Sequence, residues 1–409
     1  MSDTNHLLIP YAASAATGCQ QALQGLALPH LDRLLARLSP HPTHSDSGEE
    51  TSFSAPHERA LARALGLPAQ DGRIPWAAWH RHQQGLSTNG DAWAFVTPCQ
   101  WQVSTDHVTL RNPEHLALDD AASRALLAIV SPWFAEDGIT LHYDQPTRWL
   151  ATSPLFADLA TASLERVLQR DVRAWMPDAK AARTLHRLHS EMQMLLYTHA
   201  FNDERSERGL PVINSFWVHG TGPIPTPAPS ALPTPTVPTT LRDAALNEDW
   251  RAWAAAWTAL DAGPVADLLR KSEGGEPVQL TLCGERNTLA FHTAPRTLAQ
   301  RFQSLFRPQR FTPGRWNRPV CTRCWRACMP RAVCVPRTNW TTAWAGCCPP
   351  RASKALTPPR ACWPTPWRRT SASSSWPTTT ATAPPPAPSV CVACVCWACR
   401  TWTIWCPTA

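Results

Sequence analysis

From Arg315 to Ala409 the chain contains no Asp, Glu, Phe, Tyr, His or Gln, and is crowded with Cys, Trp, Arg, Pro, Thr, Ser and Ala. A domain that packs needs apolar residues recurring at a helical or strand period. No such period persists here for more than a few residues. The expectation is therefore disorder or non-specific collapse, with free thiols and exposed Trp as an aggregation liability. Whatever the protein does is expected to reside before about Gly314.

Setting this segment aside changes the composition. The chain carries a formal charge of +7, but 12 of its 38 Lys+Arg lie after Gly314 and none of its 31 Asp+Glu does. The first 314 residues thus hold 26 basic against 31 acidic groups, a net −5. A mildly acidic body carries no electrostatic footprint for nucleic acid. Cysteine divides the same way: 12 of 15 lie in the last segment, leaving Cys19, Cys99 and Cys283. Three scattered thiols fit a reducing compartment without a disulfide framework. Cys99, in an apolar strand region without an identifiable base, reads as a buried structural thiol. The start MSDTNHLLIPYA has no basic n-region or long apolar run, so no signal peptide is expected. No stretch reaches the ~20 apolar residues of a membrane span. The chain reads as a soluble cytoplasmic protein.

The odd composition has an explanation in the genetic code. GC-rich coding DNA read out of frame turns paired Leu codons into Cys and Trp codons. The codons required by Trp376–Ala383 permit, shifted by one base, Ala-Asp-Tyr-Asp-Cys-Asp-Gly. Extended over Trp316–Ala409, the same shift permits text with the alternation that the actual frame lacks. That hidden text resembles the start of a RecJ-type single-strand exonuclease, including the aspartate motif of its phosphoesterase family. The aspartates do not exist in the frame that is read, so no nuclease chemistry follows. Two rival readings are a zinc module and a disulfide-rich module, because Cys321-x-x-Cys324, Cys391-x-x-Cys394 and Cys396-x-x-Cys399 have ligand-like spacing.

Before Gly314 the pattern alternates between periods of 2 and 3.6. Strands are expected at His6–Ala12, Ala92–Val96, Val108–Leu110, Gly138–Tyr143, Arg148–Ala151 and Val212–Val218. A hairpin is expected from Val278–Cys283 and Thr288–His292. Helices are expected at Leu31–Leu38, His57–Leu67, Asp119–Ala135, Leu159–Gln169, Ala181–Ala200, Leu241–Lys271 and Thr297–Phe306. Residues 39–56 read as a polar surface loop, and Pro223–Pro238 as an extended linker. Alternating strands and helices predict an α/β or α+β fold.

The densest polar cluster runs His199-x-x-Asn202-x-x-Arg205-x-x-x-Gly209, then Asn214-x-x-Trp217-x-x-Gly220-x-Gly222. A helix ending in His, Asn and Arg, then a Gly turn and a strand, gathers amide and cationic donors of the kind that phosphate or carboxylate recognition needs. The competing reading of the same residues is a solvated helix end with Asn caps. Asp106, His107 and His142 are weaker candidates as metal ligands, set against turn-capping or solvent-facing roles. Gly220-x-Gly222 is too short for a dinucleotide fingerprint.

At this cluster the sequence resembles the inserted domain of archaeal-type cofactor-independent phosphoglycerate mutases, with Arg148 matching that domain's arginine after a strand. Leu28-Pro29-His30-Leu31-Asp32-Arg33-Leu34 is similar to a helix of alkaline-phosphatase-like enzymes. More closely, residues 5–312 resemble bacterial RpfE-type regulatory proteins, through HLLIPYAASA, GDAWAFVTPCQWQV, DGITLHYDQPTRWLA and EMQMLLYTH. The resemblance implies a degenerate alkaline-phosphatase-like α/β fold with an α+β insert. It divides the chain into a reduced core segment at 1–90, the insert-like domain at 91–222, a Pro-rich linker at 223–240, a helical segment with a hairpin at 241–314, and the out-of-frame tail. The mutase core opens with a strand leading to a metal-binding Asp-Gly; here the strand leads to Pro10-Tyr11-Ala12. The late Asp and His ligands are also missing. Two-metal phosphoryl transfer needs such a set to activate the nucleophile. The implied function is a non-catalytic regulatory protein, without cofactor, binding a small anionic ligand or a protein partner. Arg148, His199, Asn202, Arg205 and Asn214 are the expected anion contacts, with Arg205→Ala expected to weaken binding while sparing the fold. The alternatives are an active mutase (an isomerase) or phosphatase, and a misassembled fusion with no function of its own.

Overall fold

A computed structural model describes residues 5–226, 228–229 and 233–294. The expected helix at Thr297–Phe306 and the whole segment after Gly314 lie outside the described residues. The described part is a mixed α/β structure. Its strands in chain order are β1 His6–Ala13, β2 Ser39–Pro40, β3 Asp46–Ser47, β4 Trp93–Cys99, β5 Trp101–Val103, β6 Val108–Leu110, β7 Thr140–Gln145, β8 Arg148–Thr152, β9 Ser215–Gly222, β10 Gln279–Gly284 and β11 Asn287–His292.

The first sheet joins the two ends of the described chain. Its order is β1-β10-β11-β2, with β3 also pairing β11. β1 runs parallel to β10, from His6 opposite Gln279 to Ile9 opposite Leu282. Parallel strands are covered on both faces, which is why β1 reads as the unbroken apolar run Leu7-Leu8-Ile9. Leu7 and Ile9 enter a core with Leu31, Leu34, Trp253, Trp257 and Leu268, while Leu8 packs with Ala60 and Cys283 on the other face. Trp253 and Trp257 are both fully buried. Their indole N–H groups donate to the β1 carbonyls of Tyr11 (2.9 Å) and Ala12 (3.3 Å). Burying one such ring is worth at most roughly 4–6 kcal/mol on area grounds.

The second sheet, β7-β8-β4-β9, is antiparallel throughout. One face packs on the helices Asp120–Glu136 and Arg183–Tyr197 through Leu126, Val130, Phe134, Leu188 and Met192. The other meets Ala77, Ala78 and Ile224. Gly220 lies on this second side at φ 64°, with Trp76 Cβ and Phe95 Cδ2 only 3.0 and 3.1 Å from where a side chain would begin. Only glycine satisfies both the backbone and the space there.

Most expected elements are present within a few residues, and three departures are instructive. Leu159–Gln169 is helical only over Leu164–Val167. Thr161 N–H instead donates to Gly72 O (2.9 Å) and Ser163 N–H to Phe53 O (3.0 Å), so tertiary hydrogen bonds hold the segment extended. The polar stretch 39–56 supplies β2 and β3 at the edge of the first sheet. The expected helix Leu241–Lys271 breaks into Thr240–Leu246, Trp250–Leu260 and Ala266–Glu273, with a π-helical turn at Asp261–Val265. Pro264 lacks the N–H that a regular turn needs. The turn presents the buried Asp261 carboxylate to the start of the helix Pro29–Arg37, where it accepts from Leu31 N–H at 2.8 Å and His30 N–H at 3.2 Å. In the Pro-rich stretch, Thr236 exchanges backbone hydrogen bonds with β1: Leu8 N–H to Thr236 O and Thr236 N–H to His6 O, both 2.9 Å. No helix of the described residues is long and apolar enough to cross a membrane.

Candidate functional site

The expected anion contacts separate into two places. Four of them organise the turn between the helix Ala200–Glu207 and β9. The spacing of three that aligns His199, Asn202 and Arg205 puts them on one side of that helix, and for Asn202 and Arg205 it is the buried side, at 5% and 3% exposure. Asn202 Nδ2 donates to Leu196 O and to Ile213 O, both at 2.8 Å, and its Oδ1 accepts from Ile213 N–H at 2.9 Å. Arg205 Nε donates to Pro211 O at 2.9 Å and Nη2 to Leu116 O. Asn214 imitates a strand neighbour: its Oδ1 accepts from Trp101 N–H (2.7 Å) and its Nδ2 donates to Trp101 O (2.9 Å). His199 Nδ1 accepts from Phe201 N–H at the helix start. The donors of Asn202, Arg205 and Asn214 are thus engaged with backbone carbonyls that would be orphaned without them. Arg148 has other partners. It pairs with Asp144 at 2.8 Å and lies over the Phe95 ring.

The weaker metal candidates do not converge. Asp106 and His107 occupy the turn of the β5–β6 ribbon, where Asp106 O accepts from Arg173 and His107 N–H donates to Ser104 Oγ. His142 is on β7, its ring tilted against Trp93 at 5.3 Å between centroids. Among the described residues no three His, Cys, Asp or Glu side chains are grouped so as to hold a metal ion.

The concentration of perturbed groups lies instead at the carboxyl end of β1. In sheets with parallel strands, this end is where ligands collect. Tyr11 sits at φ 51°, unusual for a bulky residue, where the β1–β10 register slips between Ile9 and Ala13. Its ring lies 5.7 Å from that of His57, and its hydroxyl lies against the Glu165 carboxylate. Glu165 is the hub. Oε2 is 3.2 Å from His57 Nε2, a Coulombic contact outside hydrogen-bonding geometry, and Oε1 is 3.4 Å from Arg242 Nη1. Burial alone would raise the Glu165 carboxyl, but His57 and Arg242 hold it below its ordinary value. Burial likewise opposes the His57 charge, and Glu165 outweighs it and raises the imidazole. Burial pushes the Tyr11 phenol well up, with Glu165 adding to the effect. Glu58 is pushed up to about 7, mainly by burial, with His57 opposing the rise and Glu165 adding to it.

Beside this network is a solvent-open cavity of about 340 Å³. It is bounded by residues 46–49, Thr51, Ser52, Arg59 and Asp71. The loop is fastened over the same end of the sheet by Arg166, which donates to Ser52 O (3.0 Å), Glu285 O (3.2 Å) and Glu50 O. Gly48 N–H adds a bond to Arg286 O at 2.7 Å. Sequence reasoning missed this region. Tyr11, His57, Glu165 and Arg242 are each more than forty residues from the next, so no local spacing connects them; only the φ of Tyr11 and the fold bring them out.

No protein-family model matches this chain, and no curated protein matches it. Among solved structures, a cofactor-independent phosphoglycerate mutase from Thermoplasma acidophilum DSM 1728 aligns at 14% identity and a TM-score of 0.29, covering 71% of this chain and 89% of that one. The PH0037 protein from Pyrococcus horikoshii aligns at 13% identity and 0.38, covering 72% and 88%. At these identities and scores the alignments carry no argument about what this chain does.

Proposed function

We propose that this chain is a phosphoglycerate-mutase-like regulatory protein of the RpfE type, in the cytoplasm, with a degenerate alkaline-phosphatase-like fold. In this reading it has lost metal-dependent phosphoryl transfer and works by binding a small ligand or a protein partner, not nucleic acid. The sequence likeness over residues 5–312 motivates the family. The observation that carries the loss of catalysis is the end of β1. A metal-dependent enzyme of this kind would place a carboxylate there, and Tyr11 stands in its place. The nearby Glu165 is already neutralised by His57 and Arg242, and Arg166 lies within the same network. A divalent cation does not fit such a set, since it would face guanidinium groups, with Glu165 already engaged by His57 and Arg242 and Glu58 accepting from Ala55 N–H at its helix start.

Purified full-length chain, assayed with 2- and 3-phosphoglycerate and with a generic phosphomonoester in the presence of Mn²⁺ or Mg²⁺, is expected to show no turnover above buffer. Turnover that chelation abolishes would overturn the proposal. An anion at the set Arg148, His199, Asn202, Arg205 and Asn214 would have to displace backbone carbonyls from Asn202, Arg205 and Asn214. The same reading takes residues 315–409 as out-of-frame translation. The nucleotide sequence around codon 314 tests it: an insertion or deletion there is expected, and an uninterrupted frame shared with close relatives would refute it.

A further inference from the structure

The cavity at the carboxyl end of the first sheet has walls that select a ligand. Arg59, on the helix Pro56–Ala64, has a side chain only 7% exposed. Its Nε donates to Asp46 Oδ2 (3.1 Å) and its Nη1 to Ser54 O (2.7 Å), with Asp71 Oδ1 at 3.7 Å. Its Nη2 has no hydrogen-bond partner among the described residues. Arg59 lines the cavity, and its Nη2 lies against Gly48, where a Cβ would be only 2.5 Å from it. The three carboxylates of the walls are not equivalent. Asp46 is shared between Arg59 and Arg63, and Asp71 accepts from the backbone N–H groups of Phe53 (2.9 Å) and Ser54 (2.8 Å). Glu49 lies on the exposed rim. The charged groups left to meet a ligand are therefore one buried guanidinium edge and one rim carboxylate.

These walls disfavour a simple ion of either sign. A multiply charged anion seated on Arg59 would face Glu49, the wall carboxylate that is not already engaged. One like-charge pair at about 5 Å costs roughly 3 kcal/mol at an effective dielectric of about 20. A bare cation would meet the buried guanidinium. A molecule carrying both charges a few ångströms apart answers both walls. The geometry points to a small zwitterion, an α-amino acid, as the ligand of this cavity, with its carboxylate on Arg59 Nη2 and its ammonium toward Glu49. The volume of about 340 Å³ is at the small end of the range for ligand pockets. The inference rests on the ligand-binding reading above and names the ligand class for it.

The test is calorimetry and thermal shift on the full chain with a panel of α-amino acids, and with acetate, methylammonium and 3-phosphoglycerate as controls. At least one amino acid is expected to bind and raise the melting temperature, while acetate and methylammonium alone do not. Glu49→Gln changes an exposed residue that the fold does not need, and is expected to weaken that binding about tenfold. Gly48→Val, which places a side chain against Arg59 Nη2, is expected to abolish it. No binding by any amino acid overturns the inference. So does binding that both variants leave unchanged, and so does 3-phosphoglycerate binding that Gly48→Val removes. None of these outcomes involves turnover, so the inference and the non-catalytic reading fail separately.

Discussion

Acidification should destabilise this protein through histidines buried in the neutral form, and His189 is the sharpest case. It is 5% exposed, stacked on Phe216 at 4.2 Å and on Trp101 at 4.8 Å, with Nδ1 3.1 Å from Ser215 Oγ. Burial lowers its pKa from 6.5 to about 3. A histidine lowered in the folded state contributes stability above its unfolded pKa and loses it as pH falls, because the unfolded chain takes the proton first. Between pH 6.5 and 3 the loss is about 1.4 kcal/mol per pH unit, or roughly 2 kcal/mol by pH 5. His219 and His6, each lowered to about 4 chiefly by burial, act in the same direction over the upper part of this window. Glu58, raised to about 7, acts in the opposite direction between its unfolded 4.5 and 7. The assay is urea unfolding at a series of pH values for wild type and His189→Gln. The variant is expected to be less stable at pH 7 through lost stacking, by about 1–2 kcal/mol. Its stability should then fall less steeply below pH 6, by about 1.4 kcal/mol per unit. Terms from the other groups are common to both proteins and cancel. Equal slopes in the two proteins would refute the neutral, buried assignment of His189.

Two further substitutions test the contacts that the fold assigns. Asn202→Ala removes three hydrogen bonds to buried backbone and should cost about 3 kcal/mol or more in urea unfolding; Arg205→Ala, first expected to spare the fold, should now destabilise by a similar amount, and a loss below about 0.5 kcal/mol in both would count against the brace. Asp261→Ala orphans the first N–H groups of the helix Pro29–Arg37 and should cost about 1–2 kcal/mol, with an unchanged urea midpoint as the contrary result.

Local chemistry made much of the fold legible. The apolar run His6–Ala12 was legible as a strand and Asp119–Ala135 as a helix, which the Asp119 carboxylate caps through Ala122 N–H at 2.8 Å. The cluster around His199 was legible as a place where donors gather, since period and residue type are local. Where those donors point was not. Asn202 and Arg205 face inward because Ile213, Pro211 and Leu116 bring carbonyls to them from outside the helix. Likewise, Leu159–Gln169 has a helical pattern, but Gly72 and Phe53 compete for its N–H groups and prevail.

By itself the sequence determined the composition break near Gly314, the acidic balance of the body before it, and the periods that make strands and helices. Tertiary structure alone decided that His6–Ala13 pairs with Gln279–Gly284, and so that Tyr11, His57, Glu165 and Arg242 form one buried network beside a polar cavity. The physical reason is range. Propensity and capping act over a few residues, whereas the charge of Glu165, the exposure of Arg59 and the need for glycine at 48 are set by groups far away in the chain.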